Sequence, residues 1–197
     1  MSTPSPHRRS IAKYELEIFG GKPVVREYLD EAGTTSIDIL TCLDPIDRDI
    51  ISIGTVGVSE VPLTTGSGEE LCTRVELCAA ALASESYWVN AVASVAFHIV
   101  KAQNAVLPGC VVENIFRDYL PNPRMPHVYL SVPFFWNNDH FPQLDLPPLR
   151  VNWLQCISIY EDERLFIQNF GNDAFEDRLV DQGVNILDVA RPQTVLE

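Results

Sequence analysis

Chemistry in this chain of 197 residues would rest first on its four histidines, His7, His98, His127 and His140. No two of them have the spacing of a metal-binding pair. His7 lies near the N-terminus, His98 sits between Phe97 and Ile99 in a helical pattern, and His127 opens a strand-like run. Only His140 has an acidic neighbour, Asp139. Such a pair can serve as a base and its orienter, but a hydrolytic site also needs a nucleophile, and no nucleophile motif accompanies it. Asp44, Asp47 and Asp49 alternate as calcium ligands do, yet the glycine and closing glutamate of a calcium loop are missing, so they read as a solvated turn. Gly20-Gly21 and Gly54 with Gly57 are spaced wrongly for a phosphate-binding loop, and no helix start follows Gly57 as a dinucleotide site requires. The five cysteines, Cys42, Cys72, Cys78, Cys110 and Cys156, are odd in number and lack paired spacing. Neither a disulfide framework nor a zinc site follows from them. These residues predict no catalytic centre, no cofactor and no metal.

The charge bears on what a partner could be. A formal net charge of -13 repels the phosphates of nucleic acid and attracts a basic protein, although the same acidity also serves solubility alone. No run approaches the about 20 apolar residues of a membrane span. The start around His7, Arg8, Arg9 and Ser10 lacks the apolar stretch of an export signal, so a cytoplasmic protein is expected.

The elements that would position a binding surface begin with a frayed tail over residues 1–12, rich in Pro, Ser and basic side chains, followed by one domain over residues 13–197. Residues 24–29, 37–43, 50–61 and 74–80 read as strands separated by turn formers. Within the third, apolar parity shifts from Ile51 and Ile53 to Val56 and Val58, which predicts a bulge near Gly54. After Ser84, Trp88, Val92, Val95, Ala96 and Ile99 recur with helical periodicity. Residues 111–116 and 128–135 read as further strands, with Pro133 confining the latter to an edge or its own end. A proline-rich loop then leads to residues 149–160, where Leu149, Val151, Trp153, Ile157 and Ile159 share one parity and one buried face. Ser158 stands three residues before Glu161, the spacing of a capping box, and Gly171 ends the helix that follows. Strands interrupted by one helix, with helices again at the end, predict an α+β fold: a mixed, mainly antiparallel sheet packed with helices.

The run from Pro148 to Glu163, the segment from Gly171 to Leu179, and Val184 to Asp188 ending in Arg191-Pro192 together resemble the suppressor of fused family. Thr55-Val56-Gly57-Val58-Ser59, with Arg74-Val75-Glu76-Leu77 after it, resembles that family's central strand pair. The resemblance implies a protein-binding domain without catalysis, of the kind found in small bacterial immunity proteins that hold a cognate toxin in a tight complex. A regulatory scaffold for another endogenous protein is the alternative. Residues 161–181 carry seven acidic side chains against Arg164 and Arg178, and Phe175 and Leu179, four apart, should face the core. The expected interface is therefore Glu176, Asp177 and Asp181, joined by Trp136, Asp139 and Asp145 from the loop as an aromatic anchor with flanking charge.

Overall fold

A computed structural model describes residues 4–136 and 141–196. Strands β1 (Pro23–Leu29), β2 (Ser36–Leu43), β3 (Ile50–Val56) and β4 (Arg74–Leu82) form an antiparallel run. Helix α2 (Tyr87–Ala102) follows, then the short β5 (Val111–Val112), β6 (His127–Ser131), β7 (Leu144–Leu146) and the long β8 (Leu149–Ile159). Across the sheet the order is β1-β2-β3-β4-β8-β6-β5, with β7 paired on β8. Among the strands of the described residues, only the β4–β8 pairing is parallel. Val151 sits opposite both Arg74 and Leu144, so β7 continues the edge of β8 that β6 occupies further along.

The sheet is covered on both faces. Trp88, Val92, Val95, Ala96 and Ile99 of α2 bury the expected stripe against Leu77, Ala79, Leu154 and Cys156 on one face. On the other, Val151 and Trp153 lie under helix α1 (Pro6–Phe19), while Ile157 and Ile159 lie under helix α4 (Asn172–Asp181). Helix α3 (Glu161–Phe170) joins β8 to α4.

Helix α1 replaces most of the tail expected over residues 1–12. Ser5 caps it by accepting from the Arg8 amide at 3.1 Å, and Pro6 takes the first-turn position that needs no donor. Its buried stripe is Ile11, Glu15 and Phe19, at offsets of four and eight. A glutamate in the middle of that stripe hid it from a reading of apolar periodicity. Gly54 has the matching explanation, because the β2–β3 register runs through it without a bulge. A Cβ at Gly54 would lie 2.4–2.7 Å from the Glu15 carboxylate, so the glycine is the slot that receives it. The parity shift along β3 reflects two buried faces, Ile53 under α2 and Val56 under α1.

Other boundaries also move. The strand expected over 50–61 stops at Val56 because Gly57 turns the chain at φ 124°, and a 3-10 turn over Val58–Glu60 follows. Asn114, at φ 63°, likewise ends the strand expected over 111–116. Ser158 does not cap α3. It is still paired with Val128 in the ladder, and its hydroxyl lies against the Met125 sulfur at 3.7 Å. The box forms two residues later, where the Tyr160 amide donates to the Glu163 carboxylate at 3.0 Å.

Candidate protein-binding surfaces

Two of the charged residues inside the family-like segments, Glu76 and Glu163, are completely buried and hold the chain together. Glu76 accepts from the amides of Gly57 at 2.9 Å, Val58 at 3.3 Å and Ser59 at 3.0 Å, and from the hydroxyls of Thr55 and Ser59. Burial pushes its pKa up, and these five donors pull against that push. Glu163 takes both terminal nitrogens of Arg191 at 2.7 Å, plus the amide and hydroxyl of Thr194. Burial works against the charged form there too, but the guanidinium outweighs it and holds the carboxyl below its ordinary range. Neither group meets solvent, so both position backbone and leave no room for a substrate.

The three described histidines have separate partners or none. His7 shares a hydrogen bond with Ser59 at 2.8 Å, and His98 is exposed. His127 is buried; its Nδ1 accepts from the Asn114 amide at 3.1 Å, which leaves Nε2 to donate to Glu161 at 2.6 Å. Asp44 accepts from the amides of Ile46 and Asp47, both at 2.8 Å, and Asp47 from that of Asp49, as the side chains of a turn do. Among the described residues no cluster of three or more His, Cys, Asp or Glu is placed to hold a metal.

The expected interface residues divide. Asp139, with His140, lies outside the described residues. Trp136 is a packing residue: its ring meets Phe19 at 5.1 Å and Phe141 at 5.6 Å between centroids, and its indole N–H donates to Ser52 at 2.8 Å. Glu176 accepts the Tyr129 hydroxyl at 2.6 Å and is half-buried. Asp145, Asp177 and Asp181 are exposed. Asp145 pairs in register with Arg150, whereas α4 lies over Ile157 and Ile159. From position 150 to 157 a strand runs about 23 Å at about 3.3 Å per residue, so the two acidic patches do not form one spot. Phe175 and Leu179 are buried as expected. Large exposed apolar side chains on the terminal helices are Leu165, Phe170 and Val180, and the periodicity argument passed over all three.

A groove of about 970 Å³ opens at the other end of the sheet, between β1, β2 and the start of α2. Arg26, Tyr28, Ile39 and Thr41 form its floor, with Lys22, Arg48 and Val89 around it. The sequence showed β1 as a strand but could not show that it ends the sheet.

Against known families, residues 33–192 match the model of the suppressor of fused protein (SUFU) family. This chain belongs to the SUFU family. The SUFU chain is 31% identical over 186 residues to the Immunity protein YqcF of Bacillus subtilis (strain 168), covering 94% of this chain and 95% of that protein. Among solved structures, a SUFU homologue from Neisseria gonorrhoeae superposes with a TM-score of 0.74 at 14% identity, over 96% of this chain and 97% of the other. Sufu in a Sufu–Fu complex gives 0.68 at 13% identity, over 98% and 93%. Drosophila Suppressor of Fused gives 0.66 at 13%, and this SUFU chain spans about half of it. Family and relative point to a protein-binding role without catalysis. Among the described residues, no helix of this SUFU protein is long and apolar enough to cross a membrane.

Proposed function

We propose that this protein is an immunity protein that neutralises a cognate toxin in the cytoplasm by forming a tight complex with it. The observation that carries the reading is the 31% identity to an immunity protein over nearly the full length of both chains. The net charge of -13 supports a basic toxin as partner, because opposite charge speeds encounter. Exposed Asp177 and Asp181 on α4, with Phe170 and Val180 on the same helix pair, supply charge beside apolar area, as interfaces do. A second reading, a scaffold that regulates an endogenous protein, is favoured by the likeness in fold to Sufu in its complex with Fu.

The experiment is co-purification with the product of the neighbouring reading frame, followed by an assay of that product's toxicity. A stoichiometric complex and suppressed toxicity are expected. Asp145→Lys with Asp177→Lys and Asp181→Lys should slow association about tenfold at low salt, with less effect at high salt. A neighbour that is harmless alone and does not bind overturns the immunity reading. Unchanged association in the triple variant moves the contact to another surface.

A further inference from the structure

Strand β1 closes the sheet at one side and pairs only with β2. Six of its seven residues are exposed. At the hairpin end the Asp30 amide donates to the Thr35 carbonyl at 3.0 Å, which makes 30 and 35 a hydrogen-bonded pair. Antiparallel pairs alternate, so the main-chain groups of Tyr28, Arg26 and Val24 also turn towards β2, while those of Leu29, Glu27 and Val25 point outward. Among the described residues, these outward groups have no hydrogen-bond partner. Exposed edges are usually blunted by proline, bulges or inward charges, because they template pairing with another chain. Here the edge is regular over Val24 to Leu29, and Val24, Val25 and Leu29 are each at least half exposed.

The side chains beside this edge differ in charge from the rest of the molecule. Lys22, Arg26 and Arg48 line the groove, and none has an ion-pair partner among the described residues. Two carboxylates also line the groove, Glu85 and Asp44, the latter accepting two turn amides, so cations outnumber them. The opposite face of β1 presents Val25 and Leu29 around Glu27. We infer that the outer edge of β1 docks an extended segment of another protein, which adds a strand to the sheet and turns carboxylates towards Lys22, Arg26 and Arg48 and apolar side chains towards Val25 and Leu29. A second copy of this chain fits poorly. Antiparallel self-pairing sets residues of like parity opposite one another; of the registers that overlap at least five of the strand's seven residues, two centre on Arg26 against Arg26 or Glu27 against Glu27, and the one centred on Val25 sets Pro23, which has no N–H, against Glu27. The net charge of -13 adds repulsion between copies. The inference holds for any protein partner and does not depend on the toxin reading.

The test uses the whole protein and two blocked seven-residue peptides, one alternating valine with glutamate and the other valine with lysine. Global charge alone ranks the lysine peptide first. The edge ranks the glutamate peptide first, by at least about tenfold in Kd, with amide chemical-shift changes concentrated on residues 22–29 and 48. Glu27→Pro, which removes an outward donor without touching the β2 ladder, should abolish binding, and Arg26→Glu should reverse the order of the two peptides. Circular dichroism melts establish that each variant is folded, and Arg26→Glu serves if Glu27→Pro is not. Failure of the glutamate peptide to bind, preference for the lysine peptide in the parent, or shift changes elsewhere on the surface each overturn the inference.

Discussion

Glu163 and Glu15 are both sealed from water, on opposite ends of the same sheet face, and the molecule treats them in opposite ways. Glu163 keeps its charge. Arg191 meets it with two hydrogen bonds, and Thr194 and the Tyr160 amide fill its remaining acceptor sites, which ties residues 191–194 to the start of α3. Among the described residues Glu15 has one donor, the Trp153 indole at 2.9 Å, and its second oxygen has no partner. Burial, with Glu76 as a second nearby carboxylate, pushes the Glu15 pKa well up and so works against its charged form. One carboxyl is held charged by an ion pair while burial favours the neutral form of the other, so the two ends of the sheet face should respond differently to mutation and to pH.

The sharpest way to break the contrast is Arg191→Ala, which strands the Glu163 charge in the core. A loss of about 3–5 kcal/mol is expected in urea melts, with much of it recovered in the Glu163→Gln/Arg191→Met double variant. A loss below about 1 kcal/mol would show that the pair is solvated in solution. Trp153→Ala removes a large aromatic and the one donor to Glu15 together, so a loss of roughly 3–5 kcal/mol and poor yield of soluble protein are expected. A melting temperature equal to the parent's would show that α1 does not cover β8. Gly54→Ala should cost about 1–3 kcal/mol, because its Cβ invades the space of the Glu15 carboxylate. That cost should shrink in the Gly54→Ala/Glu15→Ala background, and simple additivity of the two changes would refute the slot.

The smallest effect is expected for Glu15→Gln at pH 5, where a neutral amide matches the form that burial favours, at a cost under about 1.5 kcal/mol. The signal lies in its pH dependence. A carboxyl whose pKa is raised by folding weakens the fold as pH climbs above the ordinary carboxyl value of about 4.3, until the folded value is reached. Glu163, held low, has the opposite sign: its contribution is present above that ordinary value and is lost as pH falls through its folded one. Urea midpoints from pH 5 to pH 8 should therefore decline less steeply in Glu15→Gln than in the parent. Glu76, which is also raised, leaves a residual slope. Identical slopes would mean that Glu15 is ionised in the folded protein.

What the sequence determined by itself was local and periodic. Helix α2, strand β8 and the turn into α3 could be read from residues that contact their own neighbours at offsets of two, three and four. Two of the family-like segments, Arg74 to Leu77 and the run from Pro148, fell on the parallel centre of the sheet, where both faces are buried and few substitutions fit. The single-residue cap was misplaced by two positions, because where the β6–β8 ladder ends is set by β6 and not by the cap sequence. Helix α1 was invisible for a stronger reason. A glutamate is an acceptable core residue only where a glycine on β3 and an indole on β8 meet it, and those partners lie 39 and 138 residues away along the chain. Charge counting failed likewise on α3 and α4, where Glu163 and Glu176 are engaged by Arg191 and Tyr129. Whether an acidic side chain is surface or scaffold, and whether a strand is central or an open edge like β1, depends on what packs beside it across the fold, so only the tertiary structure decided these.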